Sequence, residues 1–105
     1  VISILENTEL LVPWEKCSAG LETELSREIS KTHILYGVEA ISIARRIDND
    51  DVLFFLPKNK KPFAVVHLTY SYENSTYFPS TRLFSSLNEW IEECMKVDNE
   101  EYYLE

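Results

Sequence analysis

ISIARRIDNDDVLFFLPKNKKPFAVVHLTY, residues 41–70, holds three apolar runs of strand length, each bounded by residues that favour turns. The middle run, Val52, Leu53, Phe54, Phe55 and Leu56, is apolar at every position. A strand needs such a run only where both of its faces are covered, so 52–56 is predicted as the central member of an antiparallel meander. The flanking runs are more mixed. Ile41, Ile43 and Ile47 share a parity with Arg45, while Ala64, Val66, Leu68 and Tyr70 alternate with Phe63, Val65, His67 and Thr69. They read as outer neighbours of the middle strand. Asn49, set among aspartates, can cap its own turn, and neither Pro57 nor Pro62 has to supply a ladder hydrogen bond in the loop they frame. Connections this short imply sequential antiparallel neighbours.

The rest of the chain supplies the cover. With 105 residues it is long enough for one domain and too short for two. Apolar residues make up 45% and aromatics 12%, a globular composition. Ile2, Ile4, Leu5, Leu10, Leu11 and Val12 fit helix and strand about equally and are read as a short helix ending before Pro13, with Trp14 and Cys17 plugging one end of the core. Leu21, Leu25 and Ile29 recur every four residues and predict an amphipathic helix over about 19–31, with Glu22, Glu24, Arg27 and Glu28 off the apolar stripe. Gly37 marks a tight turn ahead of the sheet. Residues 81–84 can add a short edge strand. Ser86 and Glu89 have capping-box spacing and open a helix over 86–96, whose apolar face is Leu87, Trp90, Ile91, Cys94 and Met95 and whose wet face is Glu89, Glu92, Glu93 and Lys96. Residues 98–105 read as a ragged acidic tail with Tyr102, Tyr103 and Leu104 available for docking. The expected fold is α+β: an antiparallel meander of three or four strands packed against two or three helices.

Composition narrows the function. The net charge is −8, from 18 acidic and 10 basic side chains, which disfavours a nucleic-acid backbone as partner and suits a basic protein. No apolar run approaches the roughly 20 residues that span a bilayer, and no segment resembles a signal peptide, so a cytoplasmic location without membrane contact is expected. Cys17 and Cys94 have no metal-ligand spacing and read as free thiols. His33 and His67 lack ligand-spaced partners, the chain has too few glycines for a phosphate-cradling loop, and no nucleophile motif is present, so no cofactor or metal is expected. DNDD at 48–51 lacks the glycine and terminal glutamate of a calcium loop and reads as turn capping, with Arg45 or Arg46 pairing near Asp50 or Asp51. Lys58, Lys60 and Lys61 read as a solvated loop. Tyr70, Tyr72, Tyr77 and Phe78 read either as packing beneath a long loop or as a recognition surface.

ARRIDNDDVLFFL at 44–56, FAVVHLTYS at 63–71 and FPSTRLFSSLNEWIEE at 78–93 together resemble a family of small bacterial proteins of unassigned activity. In that family an arginine precedes D-x-D-D-V-L-F, a V-H-L-T-aromatic strand follows, and a proline-threonine step leads into a final acidic helix. The resemblance spans about Gly37 to Met95, with Tyr70 where tryptophan is more usual. Some small acidic bacterial domains of this kind resemble immunity proteins encoded beside toxins. Three classes of function stay open. The first is a non-enzymatic protein-binding module, an immunity protein for a basic toxin being its sharpest form, with Tyr72, Tyr77, Phe78, Asp48, Asp50, Asp51, Glu89 and Glu93 as its surface. The second is a metabolic or regulatory domain without a strong partner. The third is a small enzyme using Arg45 or Arg46, His67 and an aspartate of 48–51.

Overall fold

The computed structural model describes residues 4–18 and 20–104. Five strands, β1 (Trp14–Lys16), β2 (Ile41–Arg46), β3 (Asp51–Phe55), β4 (Phe63–His67) and β5 (Thr81–Phe84), form one antiparallel sheet in the order β1-β2-β3-β4-β5. The expected centre holds: β3 lies between β2 and β4, with Val52 opposite Val66 and Phe54 opposite Ala64. The expected three or four strands are corrected to five. Sequence pattern overlooked β1 because its three residues, WEK, show no apolar alternation; Trp14 is drawn into the sheet by pairing with Arg46.

Helix α1 (Glu22–Glu28) covers one face of the sheet. Its Leu25, with Leu21 and Ile29 alongside, packs on Val52, Phe54, Leu56, Ala64, Val66 and Leu68. The helix is shorter than the predicted 19–31, because Ile29 is already extended and Ser30 and Thr32 turn to other partners. A β-bulge between Ser42 and Ala44 resets the parity of β2, burying Ser42 on the α1 face and Ala44 on the other. The Glu22 carboxylate accepts the Ser42 N–H at 2.7 Å and its hydroxyl at 3.1 Å, and takes the Gly20 N–H at 2.7 Å. Burial works against its ionisation, yet these bonds hold Glu22 below the ordinary glutamate range.

The second helix, α2, runs over 87–103: an α-helical opening Leu87–Trp90, a π-helical turn Ile91–Met95 and α-helical Lys96–Tyr103. Ser86 caps it as expected, its hydroxyl accepting the Glu89 N–H at 3.1 Å. Trp90, Cys94 and Met95 pack on Leu53, Phe63, Val65 and Phe84, so α2 covers the face opposite α1. Two boundaries change. The helix continues past 96 to Tyr103 where an acidic tail was expected, because Asp98 and Asn99 bind the body: Asp98 accepts the Trp14 Nε1–H at 2.8 Å and lies 3.4 Å from Arg46, and Asn99 donates to the Val12 carbonyl at 2.7 Å. The short helix expected before Pro13 is also absent from the described residues. There 4–12 form turns and irregular chain, with Leu5 buried and Ile4, Leu10 and Leu11 packed against the α2 face.

Trp90 is fully buried and meets Trp14 edge-on, with ring centroids 5.2 Å apart. Trp90→Ala should therefore cost about 3–5 kcal/mol, whereas Glu92→Ala, which removes only an exposed pair with Lys96, should barely move the urea midpoint. Equal midpoints for the two variants would overturn this assignment of the helix faces.

Burial, reinforced by the Asp98 carboxylate, pushes the Cys94 thiol up to about 12. Burial also raises Cys17, although its side chain is only half-buried. A raised thiol pKa leaves little thiolate below it, so a thiol reagent at about pH 8 should modify Cys17 first and Cys94 only in step with unfolding. Matching modification rates in the folded protein would place Cys94 outside the core.

Candidate protein-interaction surface

Antiparallel order brings the end of β2, the start of β3, the end of β4 and the start of β5 to one end of the sheet. Backbone bonds join the two connections there. The Leu68 N–H donates to the Asp50 carbonyl at 3.1 Å, and the His67 N–H to the Ser80 carbonyl at 3.0 Å. The 47–50 turn and the 68–80 loop are therefore neighbours.

The turn is organised by its own side chains. Asn49 Oδ1 accepts the Asp51 N–H at 2.9 Å, the self-capping expected of it. Arg46 donates from Nε and Nη2 to both oxygens of Asp48 at 2.8 Å. Arginine was expected to pair near Asp50 or Asp51; the fork instead closes on Asp48, two residues along the same chain, and Arg45 stays exposed. The Arg46 hydrogen bonds, opposed by slight burial, hold the Asp48 carboxyl below the usual range. His67, opposite Asp51 in the ladder, donates Nδ1–H to Asp51 Oδ1 at 2.6 Å.

The aromatic loop is held by its backbone. Glu28 is fully buried, and its carboxyl group accepts the Thr69 N–H and the Tyr70 N–H at 2.8 Å each and the Thr69 hydroxyl at 3.0 Å. Tyr70 occupies the left-handed region, φ 56°, which aims two successive N–H groups at one carboxyl group. The sequence pattern set Glu28 off the apolar stripe of its helix. The structure corrects this: Glu28 follows Leu25 by one turn and turns inward with it. Burial lifts the Glu28 carboxyl above the ordinary range, and a hydrogen bond with Glu24 lifts it further against the pull of the two N–H groups. Glu24 moves the opposite way, first through its interaction with Glu28 and then through Arg27.

Further along the loop, Ser30 donates to the Ser75 carbonyl at 2.9 Å and the Thr32 and Thr76 hydroxyls meet at 2.7 Å. Buried His33 accepts the Leu35 N–H on Nδ1 at 3.0 Å and bonds the Pro79 carbonyl through Nε2 at 2.8 Å. This pattern requires the tautomer protonated at Nε2 and gives His33 a structural role. The loop backbone is thereby fastened at four places while its rings remain in water: Tyr72 is 75% exposed, Tyr77 80% and Phe78 53%. Packing beneath the loop, one of the two sequence readings of these rings, does not occur for them.

The eight residues expected to form one surface separate into groups. Tyr72, Tyr77, Phe78, Asp48, Asp50 and Asp51 share this end of the sheet. Glu89 lies near the start of α2, directly after β5 and therefore at the far end, with its carboxylate accepting the Ser85 N–H at 2.7 Å. Glu93 is exposed on the π-helical turn. Glu28 and Asp98, which fasten the surrounding elements, were missed as such; the only signal for either was an acidic residue one turn from a buried apolar one. Among the described residues, no group of side chains has the makings of a metal site, and no hydroxyl or thiol is bonded to His67.

Comparisons with models of protein families, with curated proteins and with solved structures found no match for this chain. The chemistry of the surface itself is what bears on function.

Removing the Glu28 carboxyl group leaves two part-buried N–H groups without their acceptor. Glu28→Ala should lower stability by about 1–3 kcal/mol and speed amide exchange at Thr69 and Tyr70 ahead of exchange in β3. Unchanged protection at those two amides would show that Glu28 does not hold the loop.

Proposed function

We propose that this chain is a non-enzymatic protein-binding module that captures a basic protein through the acidic and aromatic end of its sheet, as an immunity protein captures a toxin. The observation that carries the reading is the fastening of the 68–80 loop. A fully buried carboxyl group, a buried histidine and two hydroxyl contacts hold its backbone, yet Tyr72, Tyr77 and Phe78 are directed into solvent. Rings held out by a pre-ordered backbone lose little conformational entropy when a partner covers them, which is the economy of tyrosine-rich binding loops. The net charge of −8 supplies the long-range attraction for a basic partner. The resemblance of 44–56, 63–71 and 78–93 to small acidic bacterial proteins points to the same class.

The competing reading is a small enzyme, and the observation that favours it is the Asp51–His67 pair, in which a carboxylate orients an exposed imidazole. Capture of a partner from extract of the source cells, followed by binding kinetics, separates the two. Raising ionic strength should slow association by screening the carboxylates. Tyr77→Ala should act mainly on dissociation and weaken binding by about 2 kcal/mol, roughly 30-fold. Failure to recover any protein partner, together with turnover of a small molecule that disappears in His67→Ala, would replace the binding module with the enzyme.

A further inference from the structure

The Thr69 hydroxyl lies between two carboxyl groups. Its oxygen is 3.0 Å from Glu28 Oε1 and 2.9 Å from Glu73 Oε2, and the Ser71 hydroxyl is 3.1 Å from Thr69 Oγ1 and 3.0 Å from the same Glu73 oxygen. Hydrogens are too few for this arrangement when both acids are ionised, because Thr69 Oγ1 carries only one. Donated to Glu28, that hydrogen leaves a hydroxyl lone pair facing the Glu73 carboxylate; donated to Glu73, it leaves one facing Glu28. The Ser71 hydrogen serves Glu73 or Thr69 and lies in neither contact. A proton on either acid fills the empty one.

No cation takes the place of that proton. Arg27, on the same helix, forks onto Glu24 at 3.1 and 3.0 Å, and Glu24 itself stands one turn before Glu28. The sheet face beneath α1 is the apolar one of Val52, Phe54, Val66 and Leu68. Asp51 and His67 alternate with those residues along their strands, so they lie on the opposite face, bonded to each other. Among the described residues neither Glu28 nor Glu73 enters an ion pair. Glu28 is fully buried, whereas Glu73 is half-buried on a loop, so Glu73 is the acid that can leave.

We propose that Glu28, Thr69 and Glu73 form a proton-operated latch: one shared proton holds residues 71–73 against α1, and its loss expels Glu73 while Glu28 keeps the Thr69 and Tyr70 N–H groups. Tyr72 lies between Ser71 and Glu73, so the latch sets how firmly one of the exposed rings is held. It operates with or without a partner. The direction follows from burial, the largest influence on Glu28, which lifts its carboxyl above the ordinary value of 4.5, with Glu24 acting the same way. A folded-state value raised like this gives a contribution to stability that is complete below the unfolded value and lost as pH rises through the folded one. The latch is therefore closed in mildly acidic solution and opens as pH rises.

The test is NMR of the full chain, isotope-labelled at its glutamate carboxyl groups and its amides, from about pH 5 to about pH 8, where ordinary glutamates are already largely ionised. One carboxyl group should still titrate in this range. The amide shifts of Ser71, Tyr72 and Glu73 should step at its midpoint, while the Thr69 and Tyr70 amides stay protected from exchange. Glu73→Gln, whose side-chain amide donates to Thr69 at every pH, should abolish the step and keep 71–73 in the low-pH state. Glu73→Ala should leave Ser71 and Tyr72 in the high-pH state throughout. Both substitutions are on the loop, outside the core. Absence of any carboxyl titrating above about pH 5, with the 71–73 amides stationary, would overturn the latch. So would a step that survives in Glu73→Gln, which would assign it to His33 or His67. Either failure leaves the aromatic loop standing as a binding surface.

Discussion

A middle strand without a polar side chain between Val52 and Leu56 has to be dry on both faces, and every other element answers to that requirement. Leu53 looks toward α2 while Val52 and Phe54 look toward α1, so the helices cannot share a side. With both faces taken, polar and charged side chains are displaced to the outer surfaces of the helices and to the two ends of the sheet. One end receives the basic 57–62 loop; the other receives the aspartate turn and the aromatic loop. The separation of a basic loop at one end from an acidic turn at the other is thus a by-product of how the centre is buried.

Carboxyl groups do much of the internal fastening. Glu22 takes the N–H beside the β2 bulge, Glu28 takes two N–H groups at the exit from β4, and Asp98 gathers Trp14 and Arg46 beneath α2. Each sits where regular hydrogen bonding is interrupted. A bulge, a left-handed residue and an edge strand of three residues leave backbone or indole N–H groups that an acidic side chain one helical turn from an apolar anchor can reach. The π-helical turn has a related consequence, since Cys94 and Met95, consecutive residues, both end up buried.

The legible parts of this sequence were those where a periodic pattern and a local device agreed. β3 announced itself by five consecutive apolar residues, and α2 by a wide apolar face behind a serine cap; both stand. β1 was invisible because three residues carry no period and its place is assigned by partners thirty positions away. The bulge hid the facing of β2, because a parity argument fails at an inserted residue. Glu28 was misplaced for a different reason. Helical spacing separates stripe from flank, but a flank residue turns inward when the neighbouring loop offers it unpaired donors, and that loop is forty residues downstream. The 98–103 segment looked unstructured because its composition is polar, while its helicity is secured by single contacts from Asp98 and Asn99 that no local pattern predicts.

The same structural use of acids redistributes the function first read from the sequence. A carboxylate paired with a fixed cation adds little to a distant field, and Asp48 is matched by the Arg46 guanidinium. Glu89 keeps its charge but sits at the far end of the sheet. Attraction at long range therefore falls to carboxylates without a lysine or arginine partner among the described residues, including Asp50, Asp51, Glu73, Glu93, Glu100 and Glu101. These are spread from the aromatic loop and the turn to the outer side of α2. In the binding reading proposed above, encounter would draw on this dispersed charge and seating on the exposed rings, so screening and ring truncation would act on different rate constants.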